Sequence, residues 1–296
     1  MLVSLLMAVP AFATNLRWHW EDPFSPAERA KLVRWISTTQ QAIESLTAPL
    51  PFPVHLHVYR LPDRGEPVPW ANTRRGARQG IDLHVDPGWP LDAFLEDWTA
   101  AHELSHLLLP YLGSRHSWFA EGFASYLQYQ VLAHQGVISD REAGRAYREK
   151  IEHAAASYRD YDLDESLFLE ATTRLRRQRA YPVYYWGGAV YFMTVDAQLE
   201  ASAAPRLTAL LADYLACCRH KDETLADVLA SLDRLSGTTL LTATLADLKQ
   251  RRGFPAYEAA LAWFETTRIE KPGAPGRNKA GIDASNSKIT PGALNP

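Results

Sequence analysis

Cysteine is nearly absent from this chain of 296 residues: there are two, Cys217 and Cys218, and they are adjacent. Neighbouring residues seldom reach the Cα separation and torsion of an ordinary disulfide. The pair therefore reads as a small core hydrophobe beside an incidental thiol, not as a disulfide framework or a zinc-binding set. An excess of one charge is missing too. Lys and Arg number 31 against 34 Asp and Glu, a formal net charge of -3, so nothing in the balance calls for nucleic acid as a partner. Beyond the N-terminus no run approaches the ~18 apolar residues of a spanning helix, so stable membrane insertion is not expected. A phosphate-cradling glycine loop, a nucleophile elbow and a dinucleotide fingerprint are lacking as well.

What is present is ordinary globular material: 47% hydrophobic, 22% charged and 11% aromatic residues, with nine Trp and thirteen Tyr. That excludes disorder of the whole chain. Its length allows one or two compact domains with a full core. Residues Met1 to Ala13 carry no charge and run through Leu2, Val3, Leu5, Leu6 and Met7 to Ala11-Phe12-Ala13. An apolar core ending in A-x-A reads as a secretory signal peptide cleaved near Ala13, although its usual positive n-region is missing. The mature protein is then exported, periplasmic or secreted. At the other end, Pro, Gly, Asn and Ser dominate from Lys271 onward, and the segment 267–296 is expected to be a disordered tail.

Between these ends the periodicity changes once. Pro26 to Leu46 places Leu32, Val33, Trp35, Ile36, Ile43 and Leu46 at helical spacing behind a Ser25 cap. Val54, Leu56 and Val58 alternate with His55, His57 and Arg60, and Ile81, Leu83 and Val85 alternate with Asp82 and His84, which predicts two strands. Leu16 to Trp20 is a weaker strand candidate, and the Pro- and Arg-rich span between Leu61 and Gly80 reads as a loop or ragged hairpin. After Pro87-Gly88 helical patterns follow over 91–109, 118–134, 139–157, 183–200, 205–218, 222–234 and shorter pieces to Phe264. The fold class is α+β: a small N-terminal sheet with a helix (14–90), then a mainly helical region (91–266), together forming one unit.

The segment Trp98 to Pro110 contains His102-Glu103-Leu104-Ser105-His106. On a helix, residues four apart share a face, so both imidazoles can converge on one ion while Glu103 projects about 100° away, beside a metal-bound water. A catalytic zinc needs a third protein ligand and an open position. Trp118-Phe119-Ala120-Glu121-Gly122-Phe123-Ala124-Ser125-Tyr126 supplies one candidate carboxylate, brought back by a turn at Pro110, Gly113 and Ser114. Glu121 lies among large aromatics, where an unpaired carboxylate would be costly and a metal-bound one is not. Gly122 lets two helices approach near the ion. Ser125, one turn after Glu121, is a candidate orienting group or a plain helix serine.

These residues resemble the gluzincin zinc metallopeptidases: H-E-L-S-H followed by W-F-A-E-G-F-A-S-Y is similar to the peptidase MA-like domains and to the alanyl/leucyl and glycyl aminopeptidase families. The resemblance is close over residues 98–126. It implies a zincin-type catalytic region binding Zn2+ through His102, His106 and Glu121, with Glu103 as general base. A weaker match, Tyr184-Tyr185-Trp186-Gly187-Gly188-Ala189, is similar to the element whose tyrosine stabilises the oxyanion in those aminopeptidases. It implies that role for Tyr185, with Tyr184 as the fallback. The strand by which those enzymes grip a free amino group is not matched, since Gly80 to Val85 offers only Asp82 there. Their large N-terminal β-sandwich is not expected in the residues that precede the zinc helix.

The expected activity is hydrolysis of a peptide or protein substrate. Two other outcomes stay open: a non-catalytic exported zinc-site or binding protein, and an aminopeptidase in place of an endopeptidase. His55 and His57 share a strand face but read as solvated, and Arg174, Arg176, Arg177 and Arg179 as a solvated loop or helix face.

Overall fold

The computed structural model describes residues 15–219 and 223–269. The signal peptide expected over 1–13 and most of the expected tail lie outside those residues; the tail's first residues, 267–269, end a helix. Four strands form one sheet in the order β1 (Leu16–Trp20), β2 (Val54–Arg60), β4 (Gly80–Val85), β3 (Trp70–Arg74). β1, β2 and β4 are parallel, and β3 closes the edge antiparallel to β4. Val54, Leu56, Val58, Ile81, Leu83 and Val85 are all buried, so one sheet face is core. α1 (Pro26–Leu46) begins with a capping box, Ser25 and Glu28 exchanging hydrogen bonds, and buries Leu32, Trp35, Ile36 and Ile43.

β3 falls in the span read as a loop or ragged hairpin. Trp70-Ala71-Asn72-Thr73-Arg74 has no apolar alternation, yet it pairs antiparallel with β4 across the short connection 75–79, so the hairpin alternative holds. The helical pattern over 91–109 is also broken, into α2 (Leu91–Glu96) and α3 (Thr99–His106). Asp97 leaves helical geometry and its carboxylate accepts from Thr99 N at 2.8 Å, satisfying a donor at the start of α3.

The rest is helical, and the molecule is α+β: α4 (Ser117–His134), α5 (Asp140–Tyr158), α6 (Phe168–Arg177), α7 (Tyr181–Ala201), α8 (Leu207–Cys217), α9 (Leu225–Ser236), α10 (Leu240–Gln250) and α11 (Glu258–Ile269). Arg174, Arg176 and Arg177 occupy the last turn of α6, where cations complement the helix dipole. The cysteine reading is corrected. Cys217 and Cys218 form a disulfide between neighbours, their Cα atoms 3.7 Å apart, and Cys217 is exposed, not a core residue. Cys218 sits just past the end of α8 in non-helical geometry, which frees the two sulfurs to meet. Among the described residues no helix is long and apolar enough to cross a membrane.

α4 and α7 cross at two glycines, and this crossing positions the centre described below. A Cβ on Gly122 would lie 2.4 Å from the Gly188 carbonyl carbon, and one on Gly188 would lie 2.0 Å from the Trp118 carbonyl oxygen. Backbone meets backbone there. The same helices are tied by Asp196, fully buried on α7, which accepts from Tyr126 Oη at 2.5 Å, from Leu207 N at 2.8 Å and from Arg206. Gly188→Ala is expected to destabilise the protein by about 1–3 kcal/mol or more, the range for overpacking, read as a lowered Tm. An unchanged Tm would mean that α4 and α7 do not cross at these residues.

Candidate metal centre

α3 carries His102 and His106 one turn apart, both buried, and α4 returns alongside it with Glu121 one turn from its own start. Glu121 Oε2 stands 3.2 Å from His102 Nε2 and 3.4 Å from His106 Nε2. Two donors bound at zinc–nitrogen and zinc–oxygen distances to one tetrahedral ion stand roughly 3.3–3.4 Å apart, so both imidazole–carboxylate spacings match such an ion. These three residues are the one group of His, Cys, Asp and Glu among the described residues whose donor atoms converge to hold a metal, within 4.8 Å of one another.

Electrostatics tie the three together. Burial alone would push the Glu121 carboxyl up, but the His106 and His102 imidazoles outweigh it and hold it well below the usual carboxylate range. Burial would likewise lower His102, and the hydrogen bond and charge of Glu121, helped by Glu103 and Gln128, raise it instead. A carboxylate and imidazoles so coupled exchange readily to a divalent ion, whose charge replaces the shared protons.

Further groups orient the donors. Gln128 Oε1 lies 2.9 Å from His102 Nδ1, which directs that nitrogen's proton to the amide oxygen and leaves Nε2 as the donor. Thr73 Oγ1 donates to Glu103 Oε2 at 2.7 Å, so the edge strand β3 fixes the Glu103 carboxylate. The Tyr185 ring stacks on His102 at 6.1 Å between centroids. Burial, then the Glu121 charge, raise the Tyr185 phenol well above its ordinary value and keep it a hydrogen-bond donor. A cleft with about 750 Å³ of open space reaches the centre, its walls including Thr73, Arg75, Trp98, Glu103 and Tyr185. Tyr111, 44% exposed, lies at this cleft.

Other sequence candidates lie elsewhere. Tyr184 is buried and does not line the cleft. Ser125 is buried and likewise absent from its walls, so the orienting contact falls to Gln128. Asp82 sits opposite His57 and Asn72 in the sheet register, on the face away from buried Ile81, and accepts from Arg74 Nη1 at 2.8 Å. The strand that meets the cleft is β3, so Asp82 is not the counterpart of an amine-gripping acid. His55 and His57 are half-buried; His19 Nε2 lies 2.9 Å from His55 Nδ1, and Glu21 Oε1 2.6 Å from His57 Nδ1. Sequence reasoning missed Gln128, although it stands seven residues after Glu121 on the same face of α4, and Thr73, which carried no local signal.

No protein-family model matches the chain, and no curated protein matches it. Among solved structures it is similar to the M1 zinc metallopeptidase of Deinococcus radiodurans. Against a mutant form bound to a Tyr-Ser-Ala substrate the identity is 15% and the TM-score 0.49, covering 82% of this chain and 49% of that one. Against the same metallopeptidase without a stated mutation the identity is 14% and the TM-score 0.46, at the same coverage. The chain thus spans about half the length of these structures, and a likeness so distant decides neither family nor activity.

The orienting contacts are testable through metal affinity. Gln128→Ala is expected to weaken zinc binding by about 10- to 100-fold, the usual cost of losing a group that orients a ligand, in a competition titration with a chelating dye. Thr73→Val, which removes a hydroxyl bonded to Glu103 and to no metal donor, should leave that affinity in place. Equal affinity of Gln128→Ala and the unaltered protein would remove Gln128 from the centre.

Proposed function

We propose that the chain is a zinc-dependent peptidase, with the ion held by His102, His106 and Glu121 and with Glu103 as general base. One observation carries this reading: three donors spaced for a tetrahedral ion open onto a cleft into which a separate, fixed carboxylate also projects. A structural zinc site is closed by a fourth protein ligand; three ligands and an open side are the catalytic arrangement.

A bound zinc ion would polarise the scissile carbonyl and lower the pKa of a coordinated water towards ~7. The chain's own residues then divide the work. Glu103, held by Thr73, accepts the proton of the attacking water and passes it to the leaving amine. Tyr185 donates from its protonated phenol to the developing oxyanion, and its place in the cleft, against the burial of Tyr184, supports it over its neighbour. Gln128 keeps His102 in the required tautomer. The substrate is an extended peptide or protein segment, for which Tyr111 offers an apolar contact at the cleft.

Cleavage within a chain is preferred over removal of an N-terminal residue. An aminopeptidase must neutralise a substrate ammonium near the ion, and Glu103 and Glu121 are the only carboxylates on the described cleft wall. Both are already assigned. The export of the protein is also proposed, from the composition of residues 1–13 alone.

His102→Ala, His106→Ala and Glu121→Ala should each strip an otherwise stoichiometric zinc, measured by elemental analysis. Glu103→Gln should retain zinc and fold yet lose hydrolysis of a mixed peptide library. Tyr185→Phe should lower turnover by about 10²-fold or more. N-acetylated and free forms of one peptide series should be cut alike. Undiminished hydrolysis by Glu103→Gln contradicts the mechanism, and cleavage of free amines alone contradicts the endopeptidase preference.

A further inference from the structure

The cleft contains a charged side chain for which the hydrolysis above has no use. Arg75 follows the last residue of β3 and lines the cleft on the same wall as Thr73. Its Nη1 donates to the Leu109 carbonyl at 3.0 Å and its Nη2 to the His106 carbonyl at 2.9 Å, just beyond and at the end of α3. Those bonds use two of the five N–H groups of a guanidinium. No carboxylate among the described residues is within ion-pair distance of it.

Capping of the helix does not account for this arginine. Arg219 already donates to the Leu109 carbonyl at 2.9 Å, and so doubles one of the two bonds Arg75 makes. The second guanidinium also disfavours the first, because both donate to the same carbonyl oxygen and two like charges are thereby brought together. A half-buried guanidinium set against a second one, with no carboxylate among the described residues in ion-pair contact, is costly, and an anion supplied from outside relieves the cost. The part of Arg75 that remains exposed belongs to a residue on the cleft wall, which is where such an anion arrives.

The charge inventory points the same way. Glu121 and Glu103 together balance a divalent ion, which leaves the Arg75 charge over. We propose that Arg75 is an anion-binding subsite of the cleft that receives a substrate carboxylate, either the free C-terminus of a short peptide or an acidic side chain near the bond to be cut. The proposal rests on the peptidase reading for the nature of the ligand, and it concerns binding, so hydrolysis is not needed to test it.

The zinc-loaded Glu103→Gln protein, which should bind without cutting, is titrated calorimetrically with four versions of one short peptide. These have a free or amidated C-terminus and Glu or Gln at an internal position. The free acid or the Glu peptide is expected to bind at least tenfold more tightly than its neutral counterpart, and which of the two does so identifies the source of the carboxylate. Adding Arg75→Gln should abolish the difference, and Arg75→Lys should restore part of it, since a bidentate fork becomes a point charge. Equal affinities for charged and neutral peptides overturn the proposal, as does a preference that survives Arg75→Gln. Should Arg75→Gln fail to fold or to hold zinc, the comparison of peptides on the Glu103→Gln protein decides alone. A charge preference in a protein that hydrolyses nothing would refute the peptidase reading and leave this subsite standing.

Discussion

A carboxylate buried between two helices is the constraint around which this molecule is arranged. Glu121, 7% exposed, is largely cut off from bulk solvent, and the two imidazoles of α3 stand close enough to compensate its charge. That demand fixes how α3 and α4 lie against each other. α4 is also held against α7, where the Gly122–Gly188 contact brings backbone to backbone and leaves no room for a side chain. The aromatic residues around the crossing fill the remaining space, the Phe119 ring centroid lying 5.5 Å from that of Trp118 and 4.7 Å from that of Phe192.

Around this buried pairing the sheet has a second duty. Its parallel strands build core, whereas the antiparallel edge strand reaches over the centre and supplies Thr73 to Glu103 and Arg75 to the end of α3. The C-terminal helices contribute from the other side: Tyr185 comes from α7, and Arg219, just after α8, reaches the carbonyls of Leu107 and Leu109. Residues far apart in sequence thus converge on one short helix. α3 alone, at eight residues, would be marginal in water, and its conformation depends on this packing.

How much of this was legible in the sequence follows whether each feature leaves a periodic pattern. α1 was readable from its helical spacing behind the Ser25 cap, β2 and β4 from strict alternation, and α4 and α7 from long apolar segments, all of them local signals. The candidate donors were readable because spacings of four on one helix dictate a shared face, and the structure brings His102, His106 and Glu121 together. What stayed hidden had no periodic pattern to report it. β3 pairs with β4 without apolar alternation of its own, and Thr73 therefore had no recognisable place. The break at Asp97 hinged on one side-chain hydrogen bond that competes with an otherwise helical pattern. The disulfide of Cys217 and Cys218 required Cys218 to leave the helix, which periodicity does not report. Arg75 looked like part of a charged loop and turned out to be pressed against the end of α3.

The account's central claim is that two imidazoles and one buried carboxylate hold a single zinc ion whose remaining side is open to the cleft. Anomalous diffraction at the zinc edge from crystals of the purified protein tests it most directly. The account predicts one peak, about 2.0–2.2 Å from His102 Nε2, His106 Nε2 and a Glu121 oxygen, with a water and no fourth side chain completing the coordination. A peak elsewhere, or a fourth protein ligand closing the site, would contradict it.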